Sequence, residues 1–357
     1  MEYKKANKFQ KLQLIMGLSY RRSKEGQLSV PWQFLEMLVL LVWRGQGPGY
    51  YHTAGFWKKD ISWKDKLAHM NMHEYRSTVN ELNSPHYQKT SQNKIVEKAI
   101  LGLCKIPRNE FIGFLDKSAG FDMEGNALKT AADFAALIAQ NKWDKICFKP
   151  VESWAGQGFS AFNIVRKNDD VLFECMDNKE MLTAKKLYSD FLNIDHGESR
   201  VIEAYLEQHK WYANLNPSSV NTYRLWVVKK NNKAHTKSGY LRIGRAGSLV
   251  DNQSSGGIVV PINLKTGVLD SAIDGLPTRE SWSHHPDTGV LIAGQKPPYF
   301  EESMRLAEKS LMCFQGLKFA GVDVAVGPDG PVIVELNVNP DREGAAFTDI
   351  PTKEIFR

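Results

Sequence analysis

The sequence predicts an α+β protein of two mixed lobes preceded by a mainly helical N-terminal region. Three observations carry this reading. Apolar residues recur at helical spacing up to about residue 90, and strands then alternate with helices without regular βαβ spacing. A chain of 357 residues is also too long for one compact core. The expected divisions are 1–90, 91–202 and 203–357.

Composition bounds the function. Apolar residues at 42% and charged residues at 24% are ordinary for a globular protein, and a net charge of +6 suits anionic ligands such as phosphates. That charge is too weak and too spread out for nucleic acid. Cys104, Cys147, Cys175 and Cys313 show no CxxC spacing, so reduced thiols in a cytoplasmic protein are expected. The polar start "MEYKKANKFQ" reads as no secretory leader. The greasy run "WQFLEMLVLLVW" (32–43) is too short to span a bilayer and contains Glu36. Lys4, Lys5, Lys8, Lys11, Arg21, Arg22 and Lys24 precede it, so contact with a membrane surface is the alternative to the preferred reading, a buried helix.

"SWKDKLAHMNMHEYRSTVNELN" (62–83) places Trp63, Leu67, Met70, Tyr75 and Val79 on one helix face. His69 and His73 stand four apart there, a zinc-compatible spacing, but no strong third ligand accompanies them and a solvated face is preferred. "NKIVEKAILGLCKIP" is a helix that stops before Pro107, "FIGFL" a strand, and "TAADFAALIAQN" (130–141) a helix. "KICFKPVESWAGQGFSAFNIV" reads as strand, loop, strand, and "RVIEAYL" and "YRLWVVKK" as further strands.

"GVDVAVGPDGPVIVELNVNPD" (321–341) is a hairpin with chemistry on one face. A loop "GPDGP" sets Val326 opposite Val332, Val324 opposite Val334, Val322 opposite Leu336 and Asp323 opposite Glu335. Asn337 and Asn339 continue the polar side. Facing carboxylates repel unless a cation or shared proton lies between them, and hard oxygen ligands beside an amide suit Mg²⁺. A solvated outer face of a ribbon is the other reading. In "FKPVESWAGQGFSAF" (148–162), Lys149 ends an apolar strand before a loop with Gly156 and Gly158. Such a loop either brings backbone N–H groups to phosphate oxygens or is an ordinary glycine turn. No Gly-Lys-Ser/Thr and no helix start follow it, so neither a P-loop nor a dinucleotide fingerprint is present.

Lys94, Lys149 with its glycine loop, the strand "VIEAYL", and Asp323 followed by Glu335 and Asn337 occur in an order that resembles the ATP-grasp family. The segments 50–94, 215–228, 241–267 and "HPDTG" (285–289) look like the sugar-transfer-associated ATP-grasp group. The resemblance implies an ATP-grasp fold of two lobes clamping ATP. It implies Lys94 and Lys149 at the phosphates, the Gly156/Gly158 loop closing over them, and Glu203, Tyr205 and Leu206 at the adenine. It also implies Mg²⁺ held by Asp323, Glu335 and Asn337. The helical N-terminal region departs from the Rossmann-like domain usual in the superfamily.

The activity implied is carboxylate–amine ligation through an acyl phosphate, acting on small-molecule carboxylates and amines. The acceptor expected from the group's association is a saccharide or lipid-linked saccharide. A kinase and a non-catalytic nucleotide-binding partner of a glycosyltransferase are the competing readings, and the intact Lys149, Asp323, Glu335 and Asn337 count against the last. Arg224 and Arg245 are candidates for the phosphoryl oxygens or for surface salt bridges. Asp251 and Asn252 fit a substrate or metal contact or a plain turn, and Trp154 a stacking or lid-anchoring role.

Overall fold

Helix signals crowd the first hundred residues, and the computed structural model, which describes residues 7–153, 156–167 and 170–357, turns them into seven helices. These are α1 (Lys8–Lys24), α2 (Val30–Arg44), α3 (Pro48–Thr53), α4 (Trp63–Ala68), α5 (Met72–Leu82), α6 (Pro85–Gln92) and α7 (Lys94–Leu103). The periodic stretch 62–83 is two helices, not one. Asn71 starts α5 with a capping box, accepting from Glu74 N at 2.8 Å while the Glu74 carboxylate accepts from Asn71 N at 3.0 Å. The break puts His69 outside both helices. His69 is buried against the Tyr50 hydroxyl, and His73 is exposed.

Residues 32–43 do not form the buried helix preferred from the sequence. α2 turns Gln33, Glu36, Met37 and Leu40 inward and leaves Phe34, Leu35, Leu38, Leu41, Val42 and Trp43 exposed. The physical reason is a buried polar cluster. Lys66 Nζ meets both Glu36 oxygens at 2.9 and 2.8 Å, Tyr51 donates to Glu36 at 2.8 Å, and Gln33 donates to the Ser19 and Leu28 carbonyls. A buried charge needs a partner, so α2 faces its carboxylate inward. No helix among the described residues is long and apolar enough to cross a membrane.

The first sheet is built from β1 (Phe111–Leu115), β2 (Phe121–Asp122), β3 (Lys145–Pro150), β4 (Ser160–Lys167), β5 (Asp170–Cys175), β6 (Met181–Thr183) and β7 (Arg200–Ala204), in the order β2-β1-β7-β3-β4-β5-β6. Across one face lie α8 (Ala131–Gln140) and α9 (Ala184–Lys186), which runs into a π-helical turn at Leu187–Phe191. Phe134, Phe148, Phe162 and Phe173 form the core between them. Alternation along β3 sends Ile146 and Phe148 to this core and Cys147 and Lys149 to the cleft described below.

The second sheet follows α10 (Lys210–Leu215). It contains β8 (Thr222–Lys230), β9 (Lys233–Ile243), β10 (Ile258–Pro261), β11 (Ala272–Ile273), β12 (Ser281–Trp282), β13 (Phe319–Gly327) and β14 (Gly330–Asn337), with α11 (Phe300–Met312) before β13. The order is β12-β11-β10-β9-β8-β13-β14, antiparallel throughout the pairs described. One face packs on α11 through Leu225, Val227, Val322, Val324 and Leu311. At one end of the opposite face, Trp226, Val228 and Phe319 meet Tyr75 and Val79 of α5. The chain ends with α12 (Glu343–Phe347) and α13 (Thr352–Ile355), which also cover this end.

Asn83 fastens the helical region to this sheet. Its Nδ2 donates to the carbonyls of Phe319 at 2.8 Å and Val338 at 2.7 Å, and its Oδ1 accepts from Lys318 N at 2.9 Å and Phe319 N at 3.0 Å. It has no exposed surface. Asn83→Ala therefore removes the side-chain partner of four backbone groups, and a loss of about 2–4 kcal/mol is expected in urea unfolding. An unchanged midpoint would show that the helical region is not held this way.

Candidate functional site

The hairpin that carries Asp323 and Glu335 is tighter than the sequence suggests. Gly327 pairs with Gly330, leaving a two-residue turn at 328–329. Val324 then lies opposite Ile333, Ala325 opposite Val332 and Val326 opposite Pro331. An irregularity between Asp323 and Val324 takes up Val334 and restores Val322 opposite Leu336 and Asp323 opposite Glu335. The carboxylates thus face each other, though the loop and the strand-end pairing differ from expectation.

Period-2 alternation puts Asp323, Glu335 and Asn337 on the sheet face away from α11, beyond the part covered by α5. Arg224 lies directly opposite Asp323 on β8 and Thr222 opposite Arg242 on β9, so two guanidinium groups reach the same carboxylate. Arg224 Nε meets Asp323 Oδ1 at 2.5 Å and its Nη2 meets Oδ2 at 3.0 Å, while Arg242 Nη2 meets Oδ2 at 2.8 Å. Burial raises the Asp323 pKa, but Arg224 and Arg242 outweigh it and hold the carboxyl below its usual range. Burial pushes the neighbouring Asp251 up, against Arg242. Asp251 accepts from Thr222 N at 2.9 Å. Asn337 Nδ2 lies 3.0 Å from Glu335 Oε1 and 3.4 Å from Asp323 Oδ2.

The first sheet supplies lysines. Lys149, near the end of β3, is held by Glu203 of β7 at 2.5 Å, and Lys98 of α7 reaches the other Glu203 oxygen at 3.0 Å. Glu203 has no exposed surface, and burial alone would raise its pKa. The two ammonium groups instead bring it to about 2. Lys94, the first residue of α7, donates to Ser153 Oγ at 3.1 Å and to its carbonyl at 3.3 Å. Burial lowers the Lys94 pKa, with Glu335 and Glu97 opposing.

Between the sheets lies an open cleft. Of the residues singled out in the sequence, Lys94, Lys149, Gly156, Tyr205, Leu206, Asp323 and Glu335 line it, as do Asp251 and Asn252. Glu203 does not line it, because it is spent under Lys149 and Lys98. Arg245 is removed from it, forming a half-exposed fork with Asp287 at 2.7 and 2.6 Å. Arg224 and Asn337 touch Asp323 from behind the lining, and Gly158 packs on Pro150 and Arg200. Gly156 has φ +70°, the left-handed region that favours glycine, and a Cβ there would stand 2.6 Å from Asn252 Nδ2. Trp154 lies outside the described residues.

The sequence reading missed Arg242, Lys98 and Glu97. Arg242 carries a signal, since it lies three residues before Arg245 and alternates with the core residues Leu241 and Ile243 along β9. Among the described residues no group of three His, Cys, Asp or Glu side chains is placed to hold a metal. The donor set of two carboxylates and an amide nonetheless fits a hard divalent ion. Glu335 Oε1 lies 3.0 Å from the Asn337 amide, whose oxygen and nitrogen are interchangeable by a flip.

Glu97 is wholly buried, accepts from Leu336 N at 2.7 Å, and so positions β14. Its second oxygen has no hydrogen-bond partner. Burial, with Glu335 adding, raises its pKa from 4.5 to about 7. Between those values the folded chain holds the proton and the unfolded chain does not, so stability falls as pH rises through that window. Glu97→Gln mimics the protonated form and should remove the slope, gaining on the order of 2–3 kcal/mol over the parent at pH 8 and little at pH 5. Urea titrations at the two values check this, and parallel curves would refute it.

A family model described as sugar-transfer associated ATP-grasp matches residues 73–356. No curated protein matches the chain in sequence. Similar solved structures include an N5-carboxyaminoimidazole synthase from Aspergillus clavatus in complex with ADP and an aminoimidazole ribonucleotide, at 12% identity and a TM-score of 0.40 over 81% of this chain and 61% of that one. D-alanyl-alanine synthetase A from Vibrio cholerae is similar at 11% identity and a TM-score of 0.41, over 74% and 61% of the two chains. An L-amino acid ligase from Bacillus licheniformis is similar at 10% identity and a TM-score of 0.39, over 72% and 43%. The chain thus spans about three fifths or less of the length of these proteins. With the family match running over most of its length, from α5 to the C-terminal helix, this chain belongs to the sugar-transfer associated ATP-grasp family.

Proposed function

We propose that the protein is an ATP-dependent carboxylate–amine ligase. The observation that carries the reading is the opposition across one cleft of Lys94 and Lys149 to Asp323, Glu335 and Arg242. A triphosphate fits between lysines on one side and hard oxygen donors on the other. The adenine lies against Tyr205 and Leu206, where the chain passes from one sheet to the other.

Among the described residues lining the cleft, Lys149 already has Glu203 and Arg242 already has Asp323. A bound triphosphate therefore brings uncompensated negative charge. Glu335, Asn337 and Asp323 would hold Mg²⁺, which supplies charge screening for the phosphates.

In the first half-reaction a substrate carboxylate oxygen attacks the γ-phosphorus, the bond to the β-phosphate oxygen breaks, and ADP leaves. In the second an amine attacks the acyl phosphate carbonyl, the C–N bond forms, phosphate departs and the nitrogen loses a proton. The chain's part is positional and electrostatic. Lys94 and Lys149 hold phosphate oxygens, the Arg242 guanidinium faces the transferring group, and the Gly156 loop excludes water that would hydrolyse the acyl phosphate. The family's sugar-transfer association favours an amino acid joined to a sugar acid or amino sugar of a surface polysaccharide.

Incubation with Mg²⁺, ATP and a pool of amino acids and uronic acids should release ADP and phosphate with a new amide mass. A phosphorylated product without free phosphate would make the protein a kinase. Glu335→Gln should lower turnover by about a hundredfold or more, and Lys149→Met should raise the KM for ATP by about tenfold. Near-normal turnover in Glu335→Gln would sink the metal assignment.

A further inference from the structure

The outward side of α1 and α2 is the largest feature that the cleft leaves unexplained. On α1, Phe9, Leu12, Met16 and Tyr20 form an exposed stripe opposite the inward Ile15, Leu18, Ser19 and Arg22. On α2 the exposed side is equally apolar, because the helix spends Gln33 and Glu36 on the interior. Eleven apolar side chains on these two helices expose between 37% and 78% of their surface, and exposed apolar clusters of this kind mark interaction sites.

Charge identifies what covers it. Residues 8–24 contain five basic residues and no acidic one, and the exposed side of α2 has no charge at all. Lys8 and Lys24 are exposed at the two ends of α1, while Arg21 and Arg22 are engaged with Glu25. Tyr20, Trp32 and Trp43 are the exposed aromatics with a polar edge, the type that settles at a headgroup boundary. Neither helix is long and apolar enough to span a bilayer. A second copy on the same face would set the basic helices of the two chains against each other; anionic headgroups would neutralise them instead.

We propose that α1 and α2 are an interfacial anchor that lies flat on a bilayer containing anionic lipid, with the apolar stripe among the acyl chains and Lys8 and Lys24 at the headgroups. This rests on the helical region alone and is independent of the ligase reading.

Flotation of the full chain with phosphatidylcholine vesicles, with and without phosphatidylglycerol, tests it. Binding should require the anionic lipid, weaken with salt and shift tryptophan emission to the blue. Leu38→Ser combined with Val42→Ser should weaken binding by at least about tenfold, as should Lys8→Glu combined with Lys24→Glu. Unchanged thermal unfolding by circular dichroism would show both variants folded. Absence from the vesicle fraction overturns the proposal. So does equal binding by the folded variants, or a concentration-dependent dimer that Leu38→Ser abolishes, since the face would then belong to a second copy.

Discussion

One buried carboxylate joins the two halves of this molecule. Glu203 sits in the middle of the first sheet with no exposure and holds Lys98 at 3.0 Å and Lys149 at 2.5 Å. Lys98 also donates to the Val334 carbonyl at 2.8 Å, in the hairpin of the second sheet. A single ammonium group is therefore shared between the sheets, and Lys149 is fixed on the cleft side of the same carboxylate. Removing one partner of such a cluster strands charge in the interior, which typically costs ~3–5 kcal/mol, so the three residues act as a unit. Glu97, one turn from Lys94 on the same helix, adds a second tie by accepting from Leu336 N.

The second sheet repeats the device with arginines. Asp323 takes a bidentate fork from Arg224 and a further contact from Arg242, while Arg242 is braced by Thr222. The forks are planar and hold their geometry when one face is open to a ligand, which a flexible lysine would not do. Glu335, by contrast, lies against the Asn337 amide at 3.0 Å rather than against a guanidinium fork.

The helical region shows how burial of charge overrides hydrophobic pattern. A run as apolar as 32–43 would ordinarily face the core, yet Glu36 and Gln33 occupy the inward positions because Lys66, Tyr51 and two carbonyls await them there. Once the polar residues are inside, the helical period places Leu35, Leu38 and Val42 outside. Arg342 shows the same integration from the other end of the chain. It donates to the Met70 carbonyl at 3.0 Å and stacks 3.8 Å above Tyr50, so the C-terminal segment and the helices share one interior.

The α+β class, the helical N-terminal region, the family motifs and the facing of Asp323 and Glu335 were legible in the residues alone. These depend mainly on local spacing: alternation puts 335 and 337 on one face, the irregularity between Asp323 and Val324 brings 323 opposite 335, and capping residues such as Asn71 mark their helix starts. Only the tertiary structure decided that Arg242 rather than Arg245 enters the cleft, that Glu203 lies under the lysines, and that α2 is turned outward. Each of those outcomes depends on which side chain a distant element offers as a partner. Arg245 has Asp287, Glu203 has Lys98, and Glu36 has Lys66, pairs 42, 105 and 30 residues apart that no local pattern records. Burial of a charge is a decision taken by two elements together, and a sequence read one segment at a time sees only one of them.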